Sequence, residues 1–190
     1  MIVASVAGTG TLALLFDAET SQGNQFIAGS LDLKIKDNDE PWGDGVSKTW
    51  VITDMYPGMV SPCAVQQVEV RNFGSVAGAT IDIGCSNTVD DPPGPESDTE
   101  EGTTDMDHMI EVVCFTYGDG FPVIDLAPMI ADANGNGWRD LDDLEAVPLQ
   151  GLTAPTGTGH FQMSYRFRPE ADNDYMGDTT YMDLTITLNQ

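Results

Sequence analysis

Residues 132–143 carry oxygen-bearing side chains at a spacing that suits a calcium ion. In a twelve-residue calcium loop, ligands come from positions 1, 3, 5, 7, 9 and 12, and a glycine at position 6 permits a sharp turn. Gly137 occupies position 6 here, and Trp138 at position 7 would offer its backbone carbonyl. The predicted ligands are Asp132, Asn134, Asn136, Trp138, Asp140 and Asp143. The sequence therefore predicts calcium as a cofactor; the alternative is a surface turn rich in asparagine and glycine.

Three cysteines, Cys63, Cys85 and Cys114, allow one disulfide within the chain and leave one thiol. Cys85 and Cys114 share the phase of apolar residues in alternating stretches, which places both on inward faces. We therefore predict a Cys85–Cys114 bridge, while a Cys63–Cys85 bridge and three unpaired thiols remain as alternatives. No Cys-x-x-Cys pair occurs, so the sequence indicates neither a redox motif nor a thiolate zinc site.

The motifs of common catalytic sites are absent from the sequence. The two histidines, His108 and His160, lie in no His-Glu-x-x-His arrangement. Neither the Gly-x-Ser-x-Gly of hydrolases nor a glycine-rich phosphate loop with lysine occurs. We therefore predict no catalytic residues and expect that the chain is not an enzyme.

The elements that position these residues are predicted to be β-strands. Alternation of apolar and polar residues gives a strand one buried and one solvated face. The alternating stretches lie at 31–35, 68–70, 81–85, 161–167 and 184–188, with a more continuous apolar run at 110–117. The one candidate helix is short, at 140–147. The pattern predicts an all-β fold, a two-sheet β-sandwich with short helical turns in its loops.

The charge of the chain narrows the range of partners. The 190 residues include 31 acidic and 7 basic side chains, for a formal net charge of −24. So few cations cannot neutralise a phosphate backbone or an anionic membrane surface, so we expect neither nucleic acid nor a membrane as partner. No run of about 18 apolar residues is present, which predicts no membrane span in the mature form.

The length fits one domain of about 100–200 residues. We assign residues 17–190 to a single β-sandwich domain with an acidic insert at 90–107 and the calcium-type loop at 132–143. The insert holds carboxylates and prolines but no lysine or arginine, which is typical of a solvated loop. Residues 1–16 carry no charge and are mostly apolar or small. They are either the remnant of an export signal or a strand that needs a partner.

Three stretches of the sequence, at 8–33, 50–83 and 161–190, contain short motifs that are informative when they are taken together. The first contains FDAE followed by GNQFIAGSLDL, the second MYPG and VEVRNFGS, and the third NDYMGD before a final alternating strand. In this order and spacing they resemble the TasA/camelysin family of secreted biofilm-fibre proteins, which includes archaeal bundling-pilus subunits.

The resemblance implies a jelly-roll β-sandwich that is exported to the cell surface. It also implies a structural subunit of an extracellular filament or pilus, which polymerises by donor-strand complementation. In that mode, the N-terminal strand of one copy completes the sheet of the next. The donor side chains would be Ile2, Ala4, Val6, Leu12, Leu14 and Phe16.

The partner implied by the resemblance is therefore a second copy of the chain, and filaments would also bundle laterally. Two alternatives remain open. One is a monomeric calcium-binding surface or adhesion domain. The other is a camelysin-like metalloprotease.

Overall fold

Two antiparallel sheets packed face to face form the framework of the described chain. The structure, a computed structural model, describes residues 25, 27–37, 40–46, 52–63, 67–90, 105–119, 123–171, 175 and 177–190. Its strands are β1 Leu33–Lys36, β2 Gln67–Asn72, β3 Thr80–Asp90, β4 Ile110–Gly118, β5 Ile124–Asp125, β6 Leu149–Thr153, β7 Thr158–Phe167 and β8 Thr179–Asn189. The helical elements are α1 Leu141–Ala146 and two 3-10 turns, Met106–Met109 and Ala127–Met129. The predicted all-β sandwich with short helical turns is confirmed.

The larger sheet has the strand order β1-β2-β7-β4-β5 and faces a smaller sheet with the order β6-β3-β8. Alternate side chains of a strand point to the same face, so each strand contributes one row to the space between the sheets. Val68 and Val70 of β2 are buried in this way, as are Ile81 and Ile83 of β3. The apolar rows predicted from the sequence therefore form the core.

Three aromatic rings in the core hold β4 and β7 together. Tyr117 stacks on Phe161 with ring centroids 4.6 Å apart, and Phe115 lies 6.1 Å from the same ring. Aromatic pairs of this kind contribute about 0.5–1.5 kcal/mol beyond the burial of their area. The Tyr117 hydroxyl also donates a 2.9 Å hydrogen bond to the Thr153 carbonyl of β6. One side chain thus links the two sheets and places β6 over β4.

A β-bulge in β4 changes which side chains of that strand face the core. The register between β4 and β7 shifts between Val112 and Cys114. Val112 is buried before the bulge and Phe115 after it, so the inward phase moves from even to odd positions. Because a one-residue shift moves a side chain to the opposite face, Cys114 points away from the core. There it is bonded to Cys63, with the two Cα atoms 6.0 Å apart.

The predicted Cys85–Cys114 bridge is therefore wrong, and the alternative Cys63–Cys85 bridge does not form either. Cys85 is a free, half-buried thiol in β3 of the smaller sheet, whereas Cys114 lies on the outer face of the larger sheet. Burial raises the pKa of the Cys85 thiol to about 12, so it stays protonated at neutral pH.

Removal of the disulfide should destabilise the fold strongly. The bridge spans 51 positions of sequence, and the chain-entropy model assigns a loop of that size about 4 kcal/mol. We expect calorimetry to show a much lower melting temperature for the variant that combines Cys63→Ser and Cys114→Ser. Cys85→Ser is the control and should change the melting temperature far less. Protein unfolded without reductant should be alkylated at Cys85 alone; alkylation at either of the other cysteines would contradict the bridge.

Candidate metal site and open sheet edge

The loop at 132–143 is fixed to the sandwich by backbone and side-chain contacts. The Val112 N–H of β4 donates a 2.8 Å hydrogen bond to the carbonyl of Arg139. The indole N–H of Trp138 donates a 2.9 Å hydrogen bond to the carbonyl of His108 in the 3-10 turn Met106–Met109. The Arg168 guanidinium lies 4.3 Å from the centroid of the same indole ring. These contacts hold the loop between β4 and the start of α1.

The backbone of the loop turns at two glycines. Gly135 and Gly137 have φ angles of 76° and 94°, a region that glycine adopts without the steric cost of a Cβ. Gly137 is the residue that the sequence predicts for the sharp turn. Its N–H donates a 3.1 Å hydrogen bond to a carboxylate oxygen of Asp132. The turn brings the two ends of the loop towards each other.

Asp140 and Asp143 start α1 through a capping box. The Asp140 carboxylate accepts the N–H of Asp143 at 2.9 Å, and the Asp143 carboxylate accepts the N–H of Asp140 at 3.2 Å. Oδ1 of Asp143 also accepts the N–H groups of Ala133 and Asn134, at 2.7 and 3.2 Å. These bonds satisfy amides that a helix start and a tight loop would otherwise leave free. Two buried aspartates thus hold the loop and the helix in one arrangement.

Three carboxylates converge at this point. Asp140, Asp142 and Asp143 each place an oxygen within 4.8 Å of the others, and the first and third are completely buried. The amide nitrogen of Asn134 lies 3.2 Å from an oxygen of Asp140 and from one of Asp142. The amide nitrogen of Asn136 lies 2.6 Å from Asp140. Burial raises the pKa of Asp140, because the charged form is less stable away from water.

This cluster can hold a metal ion. Carboxylate and amide oxygens are the ligands that hard cations prefer. A divalent charge would also offset the cost of placing three carboxylates together, two of them out of water. Asn134 and Asn136 direct amide N–H groups at the carboxylates. Each amide carries an oxygen as well, which a rotated side chain would present to a cation.

The structure brings together a part of the predicted ligand set. Four predicted residues belong to the cluster or donate to it: Asn134, Asn136, Asp140 and Asp143. Asp132 lies outside the three-carboxylate group and accepts the turn N–H instead. Trp138 donates its backbone N–H to Asn136 at 3.1 Å. The calcium-loop pattern does not include Asp142, because this residue stands at position 11, which supplies no ligand in the standard spacing.

Two residues of the 3-10 turn border the cluster without being part of the motif. His108 Nδ1 lies 3.2 Å from the Asn134 amide nitrogen and 3.8 Å from the Asp142 carboxylate. Asp107 is 7% exposed, and its Oδ1 has no hydrogen-bond partner in the described part of the chain. Burial, with a further contribution from the charge of Asp142, raises the pKa of Asp107. The neighbourhood of the loop is therefore rich in buried negative charge.

A second feature of the described chain is the edge of β8. This strand pairs with β3 along its whole length, from Thr179 opposite Asp90 to Asn189 opposite Thr80. Its other edge has no strand partner among the residues that the structure describes. The inward apolar side chains beside this edge are only half-buried: Met182, Leu184, Ile186 and Leu188.

The predicted donor residues lie outside the described residues: Ile2, Ala4, Val6, Leu12, Leu14 and Phe16. Residues 91–104 of the predicted acidic insert lie outside them as well. None of the helices in the described part has the length and apolar character that a membrane crossing requires. No protein-family model matches the chain, and no curated protein matches its sequence.

Replacement of Asp142 by asparagine should weaken cation binding without disturbing the helix start, because Asp142 takes no part in the capping box. We expect calcium affinity, measured by titration calorimetry, to fall on the order of tenfold, since affinity in such loops depends on the number of ligand charges. Asp54→Asn is the matched control. Asp54 is exposed and has a φ of 56°, which asparagine tolerates. Equal affinity of the two variants would show that Asp142 is not a ligand.

Proposed function

We propose that this chain is the structural subunit of an extracellular filament, which grows head to tail by strand donation between copies. The observation that carries the proposal is the outer edge of β8. It has no strand partner among the described residues and runs for eleven residues beside half-buried apolar side chains. Such an edge offers a row of backbone N–H and C=O groups that a strand from another chain can satisfy. The role is structural and not catalytic.

Residues 1–16 supply a donor segment of fitting chemistry, because they contain no charged side chain. Burial of an apolar side chain contributes roughly 1.5–3 kcal/mol, from which the entropy of ordering the segment is subtracted. A contact that passes from each copy to the next produces a filament whenever its rotation does not close a ring. Apolar burial and backbone pairing would then act together at each joint.

The resemblance to the TasA/camelysin family supports the extracellular location and the homopolymer. The Cys63–Cys114 bridge agrees with that location, because disulfides persist in oxidising surroundings. The net charge of −24 requires that assembly takes place where salt or divalent cations screen the repulsion between copies. Lateral bundling by cations that bridge acidic surfaces belongs to the same proposal.

We further propose that the cation of the 132–143 loop is calcium. The support is the oxygen-only ligand chemistry of the cluster and the calcium-loop spacing of its residues. Calcium accepts six to eight oxygen ligands in flexible geometry, whereas magnesium requires a near-ideal octahedron and keeps several of its waters. A loop of mixed carboxylates and amides suits the larger ion.

A monomeric calcium-binding adhesion domain is the second candidate. It is favoured by the position of the cluster, whose described contacts to β4 and α1 lie within the sandwich. The two candidates share the cation and differ in the assembly state. A filament seen by electron microscopy supports the first, and a monomer at all concentrations supports the second.

Calcium should raise the melting temperature of the protein. A ligand that binds only the folded state adds about 2.7 kcal/mol to the free energy of unfolding at a hundredfold excess over its Kd. Calorimetry in calcium, in magnesium and in chelator should give the highest melting temperature in calcium. In Asp132→Ala, which loses a predicted ligand, chelator should have little further effect. Identical melting of the wild type in calcium and in chelator would refute the calcium site.

A charge in the middle of the donor segment should block assembly. Leu12→Asp or Leu14→Asp would carry an unpaired carboxylate into an apolar site, which costs several kcal/mol. Negative-stain electron microscopy should then show no filaments, while the melting temperature of the domain stays unchanged. Thr11→Asp adds the same charge on the opposite phase of the segment and should still assemble. Filaments of unchanged appearance from Leu12→Asp would exclude strand donation.

A further inference from the structure

The aspartate at the end of the 132–143 loop has little capacity left for a cation. Oδ1 of Asp143 accepts the backbone N–H groups of Ala133 and Asn134, and a carboxylate oxygen has two lone pairs. Its Oδ2 accepts the N–H of Asp140. In the standard calcium loop, the residue at position 12 binds the ion through both of its oxygens. Asp143 stands at this position and can offer at most one oxygen while these bonds persist.

A calcium ion at this loop therefore needs a ligand from elsewhere, because it takes about six to eight oxygens. Asp140 is restricted in the same way as Asp143, since its oxygens accept the Asp143 N–H at 2.9 Å and an asparagine amide of the loop at 2.6 Å. Asp142 is less engaged, with one oxygen 3.2 Å from the Asn134 amide nitrogen. We therefore expect the ion on the Asp142 side of the cluster, where the 3-10 turn Met106–Met109 packs against α1.

Asp107 of that turn has a carboxylate oxygen without a partner. Its side chain is 7% exposed, and its Oδ1 forms no hydrogen bond in the described part of the chain. Burial raises the pKa of Asp107, the His108 ring lowers it and the charge of Asp142 raises it further, so both neighbours lie within electrostatic range. Nδ1 of His108 in turn lies 3.8 Å from the Asp142 carboxylate. The unpartnered oxygen thus belongs to the neighbourhood of the cluster.

The donors around Asp107 are already used by other groups. Cys85 lies on β3, which packs against the same turn, and its thiol donates to Oδ1 of Asn87 at 3.3 Å. The Trp138 indole N–H donates to the carbonyl of His108. Among the described residues, no lysine or arginine forms an ion pair with Asp107 or with the three-carboxylate cluster. A buried carboxylate oxygen left without a donor is costly, and a bound cation would remove that cost.

We infer that Asp107 is a further ligand of the loop cation, contributed from outside the loop, an inference that rests on the proposed calcium site and adds a residue to its ligand set. Oδ1 of Asp107 would bind the ion together with an oxygen of Asp142. It would replace the oxygen that Asp143 uses for backbone amides. A carboxylate is a hard anionic ligand of the kind that calcium prefers. A proton or a trapped water molecule at Oδ1 is the alternative, and neither would link Asp107 to calcium affinity.

An ion held in this way would fasten the end of the acidic insert to the sandwich. The insert at 90–107 ends at Asp107, and α1 begins on the other side of the ion. α1 is itself fixed to β3 through Asn87. The Asn87 backbone N–H donates to the Glu145 carboxylate at 2.8 Å, and its side-chain amide donates to the Leu141 carbonyl at 2.8 Å. Calcium would thus determine where the insert joins the rest of the fold.

Asp107→Asn in the full chain tests the ligand, and Asp105→Asn is the matched control. Asp105 is exposed, and its side chain makes no capping hydrogen bond, so the control changes the net charge equally without removing a buried oxygen. We expect calcium affinity, measured by titration calorimetry, to fall on the order of tenfold for Asp107→Asn and less than about twofold for Asp105→Asn.

Melting curves separate binding of the ion from a structural role of Asp107. Without calcium, Asp107→Asn should melt no lower than the wild type, because the substitution removes a buried charge. Calcium should then raise its melting temperature by less than it raises that of the wild type. If Asp107→Asn does not fold, Asp107→Ser replaces it. A variant that melts lower without calcium and gains as much from calcium as the wild type would refute the ligand role.

The number of water molecules on the bound ion provides a second measurement. Terbium(III) is a hard cation that replaces calcium at oxygen sites, and its luminescence lifetimes in H2O and D2O report the bound waters. We expect about one more water in Asp107→Asn than in the wild type, and no change in Asp105→Asn, because water takes the position of a lost ligand. Equal affinities and equal water numbers in the two variants would overturn this inference and leave the calcium site intact if Asp142→Asn still weakens binding. A wild type that binds no calcium would overturn both.

Discussion

The fit between the inner faces of the two sheets determines the rest of this structure. Each strand presents one apolar row, and a row becomes fully buried only where the other sheet provides a counterpart. The stack of Tyr117 on Phe161 lies where that fit is complete. Along β8 the apolar side chains stay half exposed, and no further strand lies beside them among the described residues. The same principle therefore explains both the stable centre of the fold and its open side.

The alternation of apolar and polar residues sufficed to predict the sandwich. A strand with one solvent-exposed face repeats every two residues, and a helix does not. The start of α1 was also predictable, since Asp140 and Asp143 are capping residues at the right spacing. The bulge between Val112 and Cys114 was not predictable, because the residues around it are uniformly apolar and mark no insertion. The predicted disulfide failed for that reason alone. The convergence of Asp142 on the cluster depends on how the first turn of α1 directs its side chain, which spacing does not encode.

The few positive charges of the chain are distributed unevenly. The six that the structure describes all have partners, among carboxylates, aromatic rings or a carbonyl: Lys34, Lys36, Arg71, Arg139, Arg166 and Arg168. Four of them lie on β1, β2 and β7 of the larger sheet, and none lies on the smaller sheet or on α1. In the proposed filament, cations from solution would relieve the repulsion between copies on that side. Within one copy, the carboxylates of the acidic cluster beside α1 also repel each other, and a bound cation would relieve that repulsion.

The state of the cysteines has a mechanical consequence. Cys63 and Cys114 are consumed in a bridge within the chain, and the Cys85 thiol is half-buried and protonated. Cys85 is the thiol that remains, and its half-buried, protonated state disfavours a covalent link between copies. A fibre of such subunits would bear tension through hydrogen bonds and apolar contacts at every joint. A reducing agent would cleave the disulfide and so destabilise each subunit. The contacts between subunits would be non-covalent, and reduction would not break them directly.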